Sequence, residues 1–403
     1  MTAPSLDAGP VRAALPRAIW LLGVVSLLMD VSSELIHSLL PVFLVTSLQA
    51  STVVVGLIEG AGAATAMIAK VFSGVLSDYW QQRKPLAVFG YLLSAASKAI
   101  FALASSASMV LAARVIDRTG KGIRGAPRDS LLADLAPLQQ RGAAFGLRQA
   151  LDTTGAFIGP LLAMGLMLLM ANDFRWVFRV AIVPGFLAVA LLYFGVREPG
   201  QSSQARALHS VTCAGVRRLG RRYWWVLVMG AAVNLARFSE AFLVLRAQRG
   251  GLPLAFVPLV FVGMNAVYAL SAYPFGKLSD RTNPAGLLAL GLLVLTAGDL
   301  ALAWSDQWIW VWVGIALWGL HMGISEGLLA RMVADAAPQP LRGTAFGVFN
   351  FVAGAALFAA SALAGSLWDR FGAEQSFLAG AGLSALAFIV VLARRETSAS
   401  ALA

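Results

Sequence analysis

The chain contains a long internal repeat, and both copies lie among runs apolar enough to span a membrane. Gly74-Val75-Leu76-Ser77-Asp78 returns 202 residues later as Gly276-Lys277-Leu278-Ser279-Asp280. Asp134-Leu135-Ala136-Pro137 followed by Arg141-Gly142-Ala143-Ala144-Phe145-Gly146 returns 201 residues later as Asp335-Ala336-Ala337-Pro338 followed by Arg342-Gly343-Thr344-Ala345-Phe346-Gly347. A register kept over at least 70 residues leaves few folds open. Two same-direction halves, each crossing the bilayer several times, predict a carrier with one site between them.

Composition supports the membrane assignment. Hydrophobic residues make up 59% of the chain and charged ones 13%, against about 25% charged in soluble domains. The net charge of +11 would also suit a nucleic-acid binder, but the positions of the charges argue otherwise. Arg83, Lys84, Arg197, Arg206, Arg217, Arg218, Arg221, Arg222, Arg394 and Arg395 fall in short segments between apolar runs, as cytoplasmic anchors do. No aromatic residues alternate with them as stacking platforms, so no nucleic-acid partner is expected. Cys213 is the single cysteine, which excludes an intramolecular disulfide and a multi-cysteine metal site. The histidines are His37, His209 and His321, and neither His-Glu-x-x-His nor Gly-x-x-x-x-Gly-Lys-Ser/Thr occurs. No metal, cofactor or enzymatic activity is expected, and the missing phosphate loop argues against an ATP-driven pump.

A span needs roughly 20 apolar residues, and Gly, Pro, Asn and charge clusters mark the turns. These signals predict twelve spans, near 18–45, 53–77, 85–106, 109–135, 142–170 and 175–196, then 223–247, 255–277, 285–304, 308–335, 343–367 and 376–394. The chain divides into a tail at 1–17, a six-helix bundle at 18–197, a polar loop at 198–222, a second bundle at 223–395 and a tail at 396–403. The tail carries Pro4, Pro10 and Pro16, and the run after it holds Asp30 and Glu34, so it reads as a retained span rather than a cleaved signal. Cytoplasmic termini put the basic turns at 78–84, 198–222, 277–281 and 394–395 on one side, leaving few basic residues, such as Arg175, Arg249 and Arg370, opposite. The expected location is the cell membrane, multi-pass, with both termini cytoplasmic. Trp20, Trp176, Trp224, Trp225, Trp304, Trp308 and Trp310 lie near span ends, where interfacial belts form.

Charges inside the spans are expensive in lipid and must face an interior or a wet cavity. At about 100° per residue, Arg114, Asp117, Lys121, Arg124 and Arg128 of span 4 share an arc of roughly 80°. Span 1 repeats the device with Asp30, Glu34 and His37, and span 2 places Glu59 and Lys70 on one face. Span 5 pairs Arg148 with Asp152 at i, i+4, and span 7 pairs Arg237 with Glu240 at i, i+3. Two readings stay open. The charges hold helices in register as ion pairs, or some bind substrate and carry protons. Under the second reading Asp30, Glu34 and Glu240 are the proton candidates, and Lys121, Arg124, Arg128, Arg148 and Arg237 the contacts for an anionic group, with Asp152 beside them. By the 201 offset, Lys121, Arg124 and Arg128 fall on Met322, Ser325 and Leu329, with His321 and Glu326 as polar remnants. The first half therefore reads as the electrostatic one, and Trp318, Phe349, Phe351 and Phe358 of the second are expected as an apolar wall.

The repeated turns resemble the loop signature of the major facilitator superfamily, Gly-x-x-x-Asp-Arg-x-Gly-Arg-Arg. Gly74, Asp78, Arg83 and Lys84 match it in the first copy, and Gly276, Asp280 and Arg281 in the second. The resemblance implies a cytoplasmic latch between the halves. Arg118-Thr119-Gly120-Lys121-Gly122 is similar to the family's fourth-span Arg-x-x-Gln-Gly, which implies a part in proton coupling for Arg118 and its neighbour Asp117. Arg118 itself lies about 100° from Asp117 around the helix. In span 5, Gly146, Gly155, Gly159 and Pro160 match the antiporter signature, and Ala163-Met164 replace its final glycine pair. Glycines four apart allow close helix approach, and the proline bends the helix. The resemblance implies an all-α membrane protein of twelve helices in two pseudo-symmetric six-helix bundles. Its likeness to drug–proton antiporters favours proton-coupled efflux of a small organic molecule, anionic or amphiphilic. The alternative is a proton-coupled uptake symporter for an anionic nutrient or chelate. The expected partners are substrate, protons and the bilayer, and a monomer is expected.

Overall fold

Within lipid, apolar runs of this length satisfy their backbone only by closing hydrogen bonds on themselves. The computed structural model is accordingly all helical. It describes residues 15–80, 82–137, 140–198, 216–279, 281–304 and 307–399, the side chains of 74–80, 340 and 393–399 excepted. The first half contains α1 (Arg17–His37), α2 (Leu40–Thr46), α3 (Thr52–Trp80), α4 (Arg83–Leu103), α5 (Ala107–Leu135), α6 (Arg141–Leu169) and α7 (Phe174–Gly195). The second contains α8 (Arg221–Ala236), α9 (Ala241–Arg249), α10 (Leu259–Ser279), α11 (Pro284–Trp304), α12 (Trp308–Ala336), α13 (Arg342–Phe371) and α14 (Ala373–Ala399). With α1–α2 and α8–α9 each counted as one segment, eleven are long and apolar enough to cross a membrane. The twelfth, α5, is equally long but carries the charge stripe. Side chains such as Leu169, Phe194, Leu270 and Trp304 point outward, as a lipid-facing surface requires. The protein is a multi-pass membrane protein.

Two spans differ from expectation, because 18–45 and 223–247 are each broken in the middle. After His37 the Ser38 hydroxyl bonds back to the Glu34 carbonyl at 2.7 Å, and Pro41 opens the next helix without an N–H. In the second half the chain leaves helical geometry between Ala236 and Ala241. The Ser239 N–H donates there to the Ser361 hydroxyl at 3.1 Å.

The packing of the two bundles differs between the two ends of the molecule. At the end holding the α2–α3 and α4–α5 turns, one continuous apolar core takes residues from both halves, from Val31 and Phe43 to Phe242 and Phe377. At the basic end each bundle has its own core, around Tyr91 in the first half and around Tyr223 in the second. The bundles are therefore closed on each other at one end and apart at the other.

Small residues make the closed end possible. A Cβ on Gly365 would stand 2.4 Å from the Thr52 carbonyl oxygen, one on Gly56 2.1 Å from the Ser361 carbonyl oxygen, and one on Gly60 2.9 Å from the Phe358 backbone. Gly354 comes next, against Ala64. The antiparallel pair α3 and α13 thus touches backbone to backbone from its tip to mid-membrane.

A carboxylate completes this end. Asp369 of α13 accepts the Thr52 N–H at 2.9 Å, the Val53 N–H at 3.0 Å and the Thr52 hydroxyl, so one half caps the first helix turn of the other. An N-cap is worth about 0.5–2 kcal/mol, and this one exists only while the end is closed. Asp369→Ala is expected to shift the closed–open equilibrium at this end toward open by about two- to thirtyfold. Thiol labelling of a cysteine placed at Val54 in a Cys213→Ser background measures it, and unchanged labelling would contradict the cap's role.

Candidate functional site

Between the separated bundles lies a cavity of about 470 Å³. The first half lines it from α1 (Asp30), α3 (Met67, Lys70), α5 (Arg118, Lys121, Arg124, Arg128, Asp129) and α6 (Gln149, Asp152). The second half supplies Asn265 and Tyr268 from α10 and Asn350 from α13. The apolar wall expected from the second half is not there. Trp318 is fully buried and turned away, its indole N–H donating to Asp299 at 2.8 Å. Phe349 covers Gly230 inside its own bundle, Phe358 packs on Gly60, and Phe351 faces outward.

Four of the five charges in the α5 stripe, all but Lys121, have side-chain partners among the described residues. Arg114 pairs with Glu59 of α3. Asp117 takes Lys98 of α4 at 2.7 Å and faces the His37 ring at 3.5 Å. Lys98 also donates to the Ser33 hydroxyl at 3.1 Å. Arg124 donates to Ser94 at 2.7 Å and lies over the Tyr91 ring at 4.8 Å. Arg128 reaches Asp129 at 3.1 Å and Asp152 at 3.9 Å, and Arg148 holds Asp152 at 2.7 Å.

Of the proton candidates, Asp30 faces the cavity. Glu34 lies 3.6 Å from His37, which takes Arg118 at 3.1 Å on the same ring nitrogen. Arg237 joins Glu240 at 3.0 Å and also Glu326 of α12 at 2.9 Å. Gly155 and Gly159 of the antiporter-like signature seat α6 on α1 beside the two carboxylates. Added Cβ atoms there would lie 3.1 Å from the Asp30 Cβ and 2.6 Å from the Glu34 Cβ. Pro160 follows inside the same helix, whereas a Cβ on Gly146 would meet open space. Of the latch residues, Gly74 and Gly276 sit in α3 and α10, and Arg83 bonds within its own half, to Asp134 and the Ser130 carbonyl. Arg281 is exposed beyond α10. The Asp78 side chain and Asp280 lie outside the described residues.

Sequence reasoning missed Lys98, Asp299, Asn265, Tyr268 and Asn350. Lys98 and Asp299 are related by the 201 offset, and so are their partners Asp117 and Trp318. The two halves use equivalent positions for a polar bolt between equivalent helices, ionic in the first and neutral on one side in the second. Overlaying the repeats at every lone polar residue would have found it.

The bonds of Arg124 run to α4 although its side chain borders the cavity. A charge-assisted hydrogen bond contributes about 1.5–3 kcal/mol, so Arg124→Ala is expected to lower stability by about 2 kcal/mol. Melting in detergent, followed by scanning fluorimetry, checks this, and an unchanged melting point would return Arg124 to the substrate contacts.

Two helical bundles packed together at one end, with separate cores at the other and a polar cavity between them, define a membrane carrier that works by alternating exposure of that cavity. The sequence pattern of the Major Facilitator Superfamily matches residues 22–361, and the chain belongs to that family. Membership makes it a carrier rather than an enzyme. It is 31% identical over 384 residues to an MFS-type transporter of Methanocaldococcus jannaschii, covering 94% of this chain and 95% of the relative. It is 26% identical over 400 residues to the multidrug resistance protein MdtH of Aeromonas hydrophila, covering 94% and 96%. Its fold matches the crystal structure of the nucleoside transporter NupG with a TM-score of 0.78 at 13% identity, over 94% of this chain and 99% of that one.

Proposed function

We propose that the chain moves a small organic anion together with protons, as an uptake symporter. One observation carries this reading. Asp30, Lys70 and Lys121 open into one cavity, and none has a hydrogen-bond or side-chain ion-pair partner among the described residues. An ionised Asp30 competes with an anionic substrate for the field of the two lysines. A proton on Asp30 removes the competitor, so proton and anion favour each other's binding. That mutual enhancement is reciprocal by thermodynamic necessity, and with an inward proton gradient it drives uptake. A cationic substrate at the same carboxylate would give the opposite sign and exchange.

In this reading Asp30 carries the coupling proton, and Glu34, joined through His37 to Asp117 and Arg118, tunes it from behind. Arg128, Arg148 and Asp152 shape the field at the cavity mouth, with Arg124 at its wall. Arg237 and Glu240 line up with Glu326 to steady the second half. The latch of Gly74, Asp78, Arg83, Gly276, Asp280 and Arg281 closes the basic end in the opposite state. The basic end is the cytoplasmic one, so the conformation described here is inward-facing, both termini are cytoplasmic, and the carrier works as a monomer in the cell membrane.

A second reading, efflux in exchange for protons, draws on the antiporter-like glycines packed against Asp30 and Glu34 and on the likeness to a multidrug resistance protein. The two readings differ in sign. Symport predicts that anion affinity rises as pH falls, by up to about tenfold per pH unit while Asp30 takes up its proton. Asp30→Asn mimics the protonated form and is expected to bind the anion at all pH values while losing gradient-driven accumulation in proteoliposomes. Accumulation of gluconate or glucarate driven by an inward proton gradient supports symport. Expulsion by the same gradient would establish the exporter instead.

A further inference from the structure

The cavity has two unlike walls, and each leaves hydrogen-bonding groups unused. On the first-half wall the ammonium groups of Lys70 and Lys121 are exposed to the cavity without hydrogen-bond or ion-pair partners among the described residues. The two lysines leave their helices at one level, because Gly122, next to Lys121, brings the α5 backbone against α3 beside Lys70. A Cβ on Gly122 would lie 2.4 Å from the Ala69 Cβ and 3.0 Å from the Lys70 backbone nitrogen. On the second-half wall the side-chain amides of Asn265 and Asn350 are likewise without hydrogen-bond partners among the described residues. The other cations of the cavity are already engaged: Arg118 by His37, Arg124 by Ser94 and Tyr91, Arg128 by Asp129 and Asp152.

We propose that the cavity binds a hydroxylated organic dianion, held by Lys70 and Lys121 on one wall and by Asn265 and Asn350 on the other. The inference rests on the anion reading above and gives it a substrate class. Two unpaired ammonium groups match two negative charges once Asp30 is protonated. A carboxamide offers both donor and acceptor, so a pair of them complements hydroxyl groups rather than hydrocarbon. An unmatched amide facing an alkyl chain would lose its water without a replacement. A lipophilic drug is therefore a poor fit to this cavity. Because the two walls belong to different halves, a ligand touching both ties the bundles together as they close.

Neutral, singly and doubly charged compounds of one six-carbon skeleton separate the terms: sorbitol, gluconate, glucarate and adipate. Glucose 6-phosphate carries its charge at one end, about half of the compound being the dianion at pH 6 because a phosphate monoester's second pKa is about 6, and tetraphenylphosphonium serves as a lipophilic cation. Binding is read by the ligand-induced rise in melting temperature and by titration calorimetry of the full chain in detergent at pH 6. Glucarate or glucose 6-phosphate is expected to bind at least tenfold tighter than gluconate, and sorbitol not at all. Adipate is expected to bind at least tenfold more weakly than glucarate. Lys70→Gln and Lys121→Gln should each reduce dianion affinity at least tenfold and leave gluconate within about threefold. Asn265→Ala and Asn350→Ala should bring glucarate toward the adipate value and leave adipate unchanged. None of these four side chains has a hydrogen-bond or ion-pair partner among the described residues, so the unliganded melting temperature should stay within a few degrees. Equal affinity for gluconate and glucarate, or for adipate and glucarate, overturns the dianion site while leaving proton-coupled anion transport standing. No binding by any acid, or binding of tetraphenylphosphonium alone, overturns both.

Discussion

Replacing Lys98 with alanine is expected to destabilise the protein by about 3–5 kcal/mol, the usual penalty for leaving a buried charge without its partner. Lys98 is fully buried and Asp117 is 2% exposed, at 2.7 Å from each other. The His37 ring, whose Nε2 lies 3.5 Å from Asp117 while Arg118 holds its Nδ1, is the other side chain beside the carboxylate, and a single ring N–H does not replace the ammonium charge. The double variant Lys98→Ala/Asp117→Ala removes both charges and is expected to recover much of the loss. The second half already runs its equivalent bolt without a cation, Asp299 being held by the Trp318 indole. Thermal melting of the purified wild type, both single variants and the double variant closes the cycle. Losses that simply add would show that the pair is not a unit.

The second large effect is on movement rather than stability. Gly56→Val places a side chain where even a Cβ would be 2.1 Å from the Ser361 carbonyl oxygen, and backbone cannot step aside as a flexible side chain can. Substrate flux is expected to fall by more than tenfold, because the closed state of this end is lost from the cycle. The protein should still fold, since each bundle keeps its own core at the basic end. A cysteine introduced at the closed end in the Cys213→Ser background should become reactive from that side. Normal flux with an unreactive cysteine would mean that the close approach of α3 and α13 is not required. Gly56→Ala tests the same point with the smallest possible addition and should give an intermediate loss.

Much of this architecture was legible before any coordinates. The 201–202 offset predicted two bundles, and α4, α5 and α6 recur as α11, α12 and α13 at that spacing. The pair within one helix, Arg148–Asp152, followed from helical spacing alone, whereas Arg237 and Glu240 meet in the non-helical break between α8 and α9. Pairs between helices did not. Glu59 with Arg114 and Lys98 with Asp117 join α5 to neighbours whose rotation sequence spacing does not fix. The break after His37 has Pro41 beyond it, a residue the first turn of a helix also accepts, and the break after Ala236 was hidden because no glycine or proline marks residues 237–240. There the bond from Ser239 to Ser361 compensates the backbone from another helix. The apolar wall failed for a related reason. Trp318 is both large and a hydrogen-bond donor, and a buried aspartate elsewhere in its bundle claims it. Residues that do face the cavity from the second half, Asn265 and Asn350, are isolated polar positions in apolar helices with no periodicity to announce them.

The unduplicated charges of the first half now divide by what they touch. Arg114, Asp117, Arg124, Arg128, Arg148 and Asp152 have partners within that half, so truncating them disturbs the scaffold as well as the field. Lys121, Lys70 and Asp30 have none among the described residues, and under the proposed function the transport cycle rests on these three. Their joint action makes a claim about sign that one measurement reads directly. Glucarate is titrated calorimetrically into the wild type and the Asp30→Asn variant in two buffers of different ionisation enthalpy at one pH, which counts the protons exchanged on binding. Net proton uptake on binding is the expected result, approaching one per glucarate in the wild type and close to zero in Asp30→Asn. Proton release by the wild type, or the same uptake by both proteins, would contradict it.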